Sequence, residues 1–351
     1  MNRPNATIRG RGAADNLPGR FERLARSAEC DEAGKSSTST VVTLQQARSI
    51  ISRNDSPDIP FTQSINPYQG CEHGCIYCYA RPSHAYVGLS PGLDFETKLF
   101  AKANAAELLR KELLRPGYCC EVIALGANTD PYQPIEREHR ITRGILEVLR
   151  EFRHPVGIVT KSSLIERDLD QLAPMAAEGL VQVFISIGTL DAEIARRLEP
   201  RAAAPYRRIE AVRRLREHGI PCGVLVAPII PFLNDKDMES VLEAAQEAGA
   251  GMSGYTIVRL PWEVKDLFKD WLERHYPLKA AHIMARIRDM RGGRENDPEF
   301  GSRMRGEGPF AELIRMRFNV ACKRLGLNAG ERNRLDTSKF RRPKPAQKEL
   351  F

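Results

Sequence analysis

Gly70-Cys71-Glu72-His73-Gly74-Cys75-Ile76-Tyr77-Cys78-Tyr79 is the stretch on which the reading of this chain turns. Three residues separate the first two cysteines, two separate the next pair, and an aromatic residue precedes the last. Thiolates so closely spaced can hold three irons of a four-iron cluster, whose last iron normally takes a further thiolate. None stands nearby, so one iron would stay open to another ligand. Two other readings exist. Cys71, Cys75 and Cys78 with His73 or His84 could form a Cys₃His zinc site, although zinc modules more often use two separated ligand pairs. They could also be buried free cysteines clustered by chance.

The chain downstream favours the cluster. Apolar runs alternate with helical spacing, predicting strands over 64–68, 121–125, 156–160, 181–187, 222–226 and 254–258. Helices are expected over 97–114, 135–152, 165–178, 206–218, 235–248 and 261–275, with Gly179 and Gly219 as stops. Six strand–helix units in succession imply a parallel sheet with right-handed crossovers, rolled into a barrel or part of one. The cysteine loop follows the first strand, at the end where such barrels build their sites.

Outside that core, residues 1–40 read as poorly ordered and 41–63 as a lead-in. The lead-in contains a short helix over 43–51 capped by Thr43, then the extended link Ser56-Pro57-Asp58-Ile59-Pro60. The barrel is assigned to 64–277, a helical extension to 278–330 and a flexible basic tail to 331–351, which holds seven Lys or Arg against three acids. Such a tail either contacts phosphates or is simply solvated.

The composition, 42% hydrophobic and 28% charged over 351 residues, is that of a soluble globular protein. No run approaches the roughly 20 apolar residues of a membrane span, and Met1 to Asn16 lacks a signal-peptide core. Eight cysteines in a chain this long do not suggest a disulfide framework. A cytoplasmic, reducing location is therefore expected. The net charge of +8 is too modest to establish a nucleic-acid partner by itself.

Three segments together carry a family resemblance. They are Asn66-Pro67-Tyr68-Gln69-Gly70-Cys71 continuing to Cys78-Tyr79-Ala80-Arg81, Thr129-Asp130-Pro131-Tyr132-Gln133-Pro134, and Thr160-Lys161-Ser162. In this combination the chain resembles the spore-photoproduct-lyase-like branch of the radical S-adenosylmethionine (SAM) superfamily, often described as DNA-repair-photolyase-like. Ser56 to Phe61 and Ser90 to Thr97 resemble a bacterial subgroup without a defined reaction. The resemblance implies a partial (β/α)₆ TIM-like barrel and a [4Fe–4S] cluster on Cys71, Cys75 and Cys78. It places Tyr77 near adenine, gives Lys161 and Ser186 as contacts to the SAM carboxylate, and implies an electron donor such as flavodoxin or ferredoxin. Thr129 and Asp130, beside a proline-stiffened turn, could receive the SAM ammonium group; the plainer reading is a turn with a cap. Asp191 reads as a helix cap, Arg201, Arg207 or Arg208 could pair with a carboxylate, and apolar residues after the fifth strand could cover adenine.

One departure matters. Spore photoproduct lyases carry a hydrogen-donor cysteine in the loop before the Ser/Thr-Asp pair, where this chain has Ala127-Asn128. Cys119, Cys120 and Cys222 stand at the wrong ends of their strands and read as small core residues. The last residues, Gln347 to Phe351, resemble the peptide by which DNA-maintenance proteins dock on the sliding clamp, with Gln347, Leu350 and Phe351 as its contacts. The sequence thus reads as a radical SAM enzyme with nucleic acid as its preferred substrate class. The alternatives are modification of RNA or of a protein side chain, and a non-catalytic zinc protein associated with nucleic acid or the clamp.

Overall fold

Where β-branched and apolar runs meet a partner strand, they form sheet. The computed structural model describes residues 7–21, 39–329 and 335–343. Its strands are β1 (Val41–Gln45), β2 (Ile51–Arg53), β3 (Gln63–Ile65), β4 (Tyr68–Gln69), β5 (Lys98–Lys102), β6 (Ile123–Leu125), β7 (Val156–Thr160), β8 (Val181–Ser186), β9 (Cys222–Ile229) and β10 (Met252–Ile257). Six of them, β3, β6, β7, β8, β9 and β10, run parallel in that order, and β2 flanks β3 antiparallel. The sheet does not close, so the fold is an α/β partial barrel with β10 at one edge. Asn328 covers that edge: its side chain accepts from the Ser253 amide and donates to the Ser253 carbonyl. Unpaired strand groups are thereby satisfied without a further strand.

Helices pack outside the sheet. Ile141–Glu151 buries Ile145, Leu146, Val148 and Leu149, and Pro205–Glu217 buries Ala211, Val212 and Leu215 against the strands. Gly179 and Gly219 close their helices with φ of 70°, a conformation that costs glycine little. Pro277–Asp289 and Gly308–Leu325 form the expected C-terminal helices.

Four expected elements differ. The strand expected over 64–68 is split: β3 lies in the large sheet, whereas β4 pairs antiparallel with β5 in a separate three-stranded sheet. Residues 43–51 are not a helix: β1 and β2 occupy the region, because Val41, Val42 and Thr43 find a parallel partner in β5. The helix expected over 97–114 starts only at Ala105, since Leu99 and Ala101 are buried with the two-residue period of a strand. The helix expected over 135–152 is interrupted at Arg140, where φ is 50°. The Glu136 carboxylate there accepts the Thr142 amide that this break exposes.

The described parts of the two end segments also differ from expectation. In the segment read as poorly ordered, Arg11 and Ala13 are buried against the cysteine loop. In the tail read as flexible, Phe340 stacks with Phe152 and meets His154 edge-on. Lys339 donates to the Glu178 carbonyl, and Arg342 donates to those of Leu113 and Arg115. These cations therefore cap helix C-termini, where backbone carbonyls lack partners. Gln347, Leu350 and Phe351 lie outside the described residues. No helix among the described residues is long and apolar enough to cross a membrane.

Candidate active site

The cysteine loop leaves β4 at Gly70, and its path is set by backbone geometry before any side-chain chemistry. Gly70 and Gly74 have φ of 77° and 67°. A Cβ on Gly70 would lie 2.6 Å from Leu99 and 2.8 Å from His84. Only glycine fits so close an approach. The Cys71 amide donates to the Phe95 carbonyl (2.9 Å) and the Ile76 amide to the Leu198 carbonyl (3.1 Å).

Arg81 holds this path. Fully buried, it donates to the carbonyls of Cys75 (2.9 Å), Gly74 (3.2 Å), Pro91 (3.1 Å) and Gly92 (2.9 Å), and pairs with Glu96. Glu96 in turn accepts the amides of Gly12 (2.9 Å) and Ala13 (2.8 Å). The N-terminal segment, the cysteine loop and the Asp94–Thr97 turn are thus one hydrogen-bonded unit. Gln133 joins it from the loop after β6: its carbonyl accepts the Glu72 amide and its NH₂ donates to the Gly70 carbonyl.

Parallel strands deliver the other loops to this same end. Asp130, after β6, accepts from the Thr160 hydroxyl (2.7 Å), the Lys161 amide (2.7 Å) and the Tyr132 amide (2.9 Å). His73 Nε2 lies 3.1 Å from it. Burial alone would raise the Asp130 pKa, but His73 and these donors outweigh it and hold it at about 2. The Thr129 hydroxyl donates to the Tyr68 carbonyl. Both residues proposed from sequence for an ammonium group therefore tie loops together, and Thr129 is buried in doing so.

Lys161, at the end of β7, is half-buried and donates to the Ser186 hydroxyl (3.2 Å), which donates to the Ala227 carbonyl (3.1 Å). Its ammonium lies 6.0 Å from the centre of the Tyr77 ring. The Tyr77 hydroxyl donates to Glu199, and Glu199 pairs with buried Arg208. Burial disfavours the charge on Lys161, but Glu199 and Cys75 outweigh it and keep the ammonium favoured. Sequence reasoning brought Tyr77, Lys161 and Ser186 to one face and offered Arg208 a carboxylate partner. It missed Glu199 as that partner, and it missed Arg81, Glu96 and Gln133. Arg81 follows the motif by three residues, which was the one available signal. Asp191 caps its helix as expected, accepting the Glu193 and Ile194 amides. After β9, Ile230 and Leu233 are buried and Phe232 packs on His282 and Phe310.

The other cysteines lie apart. Cys119 and Cys120 precede β6, one exposed and one half-buried, so neither is the core residue expected; Cys222, at the start of β9, is buried as expected.

The family profile described as the Radical SAM superfamily matches residues 65–245, more than half of the chain. The chain belongs to the radical SAM superfamily. An uncharacterized protein of Mycobacterium tuberculosis is 37% identical over 234 residues, covering 66% of this chain and 68% of the relative. An uncharacterized protein of Methanocaldococcus jannaschii is 28% identical over 213 residues, covering 61% and 76%. Among solved structures, a spore photoproduct lyase mutant is similar with a TM-score of 0.56 at 15% identity, covering 82% of this chain and 80% of that one. That likeness is one of fold.

Membership in the radical SAM superfamily implies a [4Fe–4S] cluster and SAM, and the donor set fits them. Burial pushes the Cys71, Cys75 and Cys78 thiols up, and Cys71 and Cys75 each feel the charge of neighbouring motif cysteines. Buried, mutually repelling thiolates need a bound cation, and metal binding releases their protons. No group of three His, Cys, Asp or Glu among the described residues converges on a single-ion position. A cluster instead takes each thiolate on a different iron. Of the two histidines of the zinc reading, His73 faces Asp130 and the Arg201 carbonyl, and His84 Nε2 donates to the Lys98 carbonyl.

Proposed function

We propose that the protein is a radical SAM enzyme acting on nucleic acid, with Cys71, Cys75 and Cys78 as ligands of its [4Fe–4S] cluster. When bound, cluster and SAM would supply radical hydrogen abstraction from the substrate. The protein's share is binding and orientation. Lys161 and Ser186 are positioned for the SAM carboxylate, a charged donor beside a hydroxyl. Tyr77, fixed through Glu199 and Arg208, forms a wall beside them. Asp130, held ionised, secures the loops after β6 and β7 and is a positioning residue; Thr129 serves the same purpose.

The observation that supports a nucleic-acid substrate is the rim of this face. Tyr79, exposed, donates to the Ala127 carbonyl and has Arg259 over its ring at 5.8 Å. Arg259 comes from the loop after β10, so the pair spans the open side of the barrel. Arg303 lies 4.4 Å over exposed Phe300 but pairs with Asp58, and Arg20 lies 4.6 Å over exposed Trp262 but 3.9 Å from Glu263, so Arg259, which forms no ion pair among the described residues, is the cation these three leave for a phosphate. Arginines interleaved with exposed aromatic rings suit phosphates and unstacked bases. The Tyr79 hydroxyl reaches the loop where the lyases carry their cysteine, so repair through a cysteine donor at that position is not the reaction proposed.

The test is anaerobic reconstitution followed by electron paramagnetic resonance of the reduced protein. A four-iron signal that shifts on adding SAM, and is lost in Cys75→Ala, is expected; its absence from the wild type overturns the reading. Lys161→Met should retain iron yet raise the SAM dissociation constant at least about tenfold, as loss of a charged hydrogen bond implies. Arg259→Glu should weaken binding of a single-stranded oligonucleotide about tenfold, with a salt-dependent difference. Equal binding would remove the nucleic-acid assignment.

A further inference from the structure

A cleft of about 330 Å³ shares no lining residue with the Lys161–Ser186 pair or with the Tyr79–Arg259 rim. Three segments build it. Ile8 to Arg11 is a tight turn in which the Arg11 amide donates to the Ile8 carbonyl (3.1 Å). Gly10, third in that turn, has φ of 76°, the conformation a type II turn demands there, and the turn sets Arg9 and Arg11 on the cleft. The end of the helix Ala192–Leu198 adds Arg196 and Arg197. One face of the helix Val264–His275 supplies Leu267, Asp270, Trp271 and Arg274, spaced three or four residues apart.

The lining thus carries five arginines against one carboxylate, Asp270. Three of the five are engaged within the fold. Arg274 pairs with Asp270, and Arg197 pairs with Glu193 and donates to the His275 carbonyl (3.4 Å). Arg11 donates to the Glu96 carbonyl (2.8 Å) and the Thr40 hydroxyl (3.0 Å). Arg9 and Arg196 are exposed and form no ion pair among the described residues. The engaged arginines still make themselves felt: His275, also in the lining, is held below the ordinary histidine range by burial and then by Arg197 and Arg274. Buried Ile76, Leu267 and Trp271 back the cleft. A recess lined by one sign of charge and backed by apolar walls focuses its field on whatever enters.

We propose that this cleft is an anion site for the phosphate groups of a ligand, with Arg9 and Arg196 as its recognition residues. One bidentate arginine satisfies a carboxylate, whereas cations converging from a turn, a helix end and a helix face suit the several oxygens of adjacent phosphates. Asp270 is occupied by Arg274 and does not cancel the surplus. A nucleoside diphosphate and a stretch of nucleic-acid backbone present this same chemistry. Occupancy of the cleft requires neither cluster nor SAM, so it stands or falls apart from the reaction at the cysteine motif.

The experiment is calorimetry on the full-length protein in phosphate-free buffer, with pyrophosphate and, separately, a single-stranded oligonucleotide as probes. Pyrophosphate should bind saturably, and more weakly as sodium chloride is raised. Arg9→Glu combined with Arg196→Glu should weaken it at least about tenfold, as loss of charged hydrogen bonds implies, without changing the thermal midpoint. Arg259→Glu, at the other rim, should leave it within about twofold. Oligonucleotide binding unchanged in the double variant would assign the site to a free phosphorylated ligand. Oligonucleotide binding that weakens in the double variant, and that pyrophosphate displaces in the wild type, would assign it to backbone phosphates. Pyrophosphate that fails to bind saturably, or binds the double variant as it binds the wild type, overturns the proposal.

Discussion

Arg81 shows how one side chain can hold a motif in shape. Its guanidinium meets four carbonyls and the Glu96 carboxylate in a site closed to solvent. Removing one member of a buried pair leaves the other charge uncompensated, which costs about 3–5 kcal/mol. Arg81→Met should therefore lower the urea midpoint by that equivalent and reduce iron uptake, whereas Arg81→Lys should recover only part of either. His154 gives a residue-scale prediction away from the site. Burial lowers its pKa from 6.5 to about 4, so the folded protein keeps it neutral where the unfolded chain binds a proton. The His154 contribution to stability should be full above pH 6.5, fall as the pH drops from 6.5 to about 4, and level off below. The total is at most about 3 kcal/mol. Chemical denaturation at pH 7.5 and pH 5 would measure the slope, and His154→Gln should flatten it.

At the scale of elements, the N-terminal segment acts through backbone contact. Gly12 abuts Gly74, and Gly92 abuts Asp15 so closely that its Cβ would lie 2.2 Å from the Asp15 carbonyl oxygen. Gly12→Ala should push the segment off the cysteine loop, with a loss of about 1–3 kcal/mol as overpacking implies. Faster proteolysis near residue 12 would report it; an unchanged cleavage pattern would show the segment to be independent of the loop. The elements legible in sequence were those whose period and length agreed: the parallel strands β6, β7, β8, β9 and β10, and the expected helices after β7, β8 and β9. The misread elements were those for which local preference was outvoted. Lys98–Lys102 has apolar residues that suit either period, and only pairing with β1 makes it a strand. Arg140 carries no breaker signal; the capture of the Thr142 amide by Glu136 accommodates the break.

In the whole molecule, distant segments converge on one face and brace the opposite end. Lys161 from β7, Ser186 from β8, Glu199 and Arg208 from beyond β8 and Tyr77 from the motif form one polar group. The tail seals the far end through Phe340, Lys339 and Arg342. The sequence by itself determined the cysteine motif, the alternation that makes a parallel sheet, and the face on which Tyr77, Lys161 and Ser186 meet, because spacing and strand direction are local properties. Only the tertiary structure decided that Thr129 and Asp130 tie loops together, that Arg81 and Glu96 clamp the motif, that Glu199 anchors Tyr77, and that residues 7–14 wall a cationic cleft. Those outcomes depend on which buried polar group finds which partner across tens of residues, and a buried charge is settled by its neighbours in space, which the order of residues along the chain does not contain.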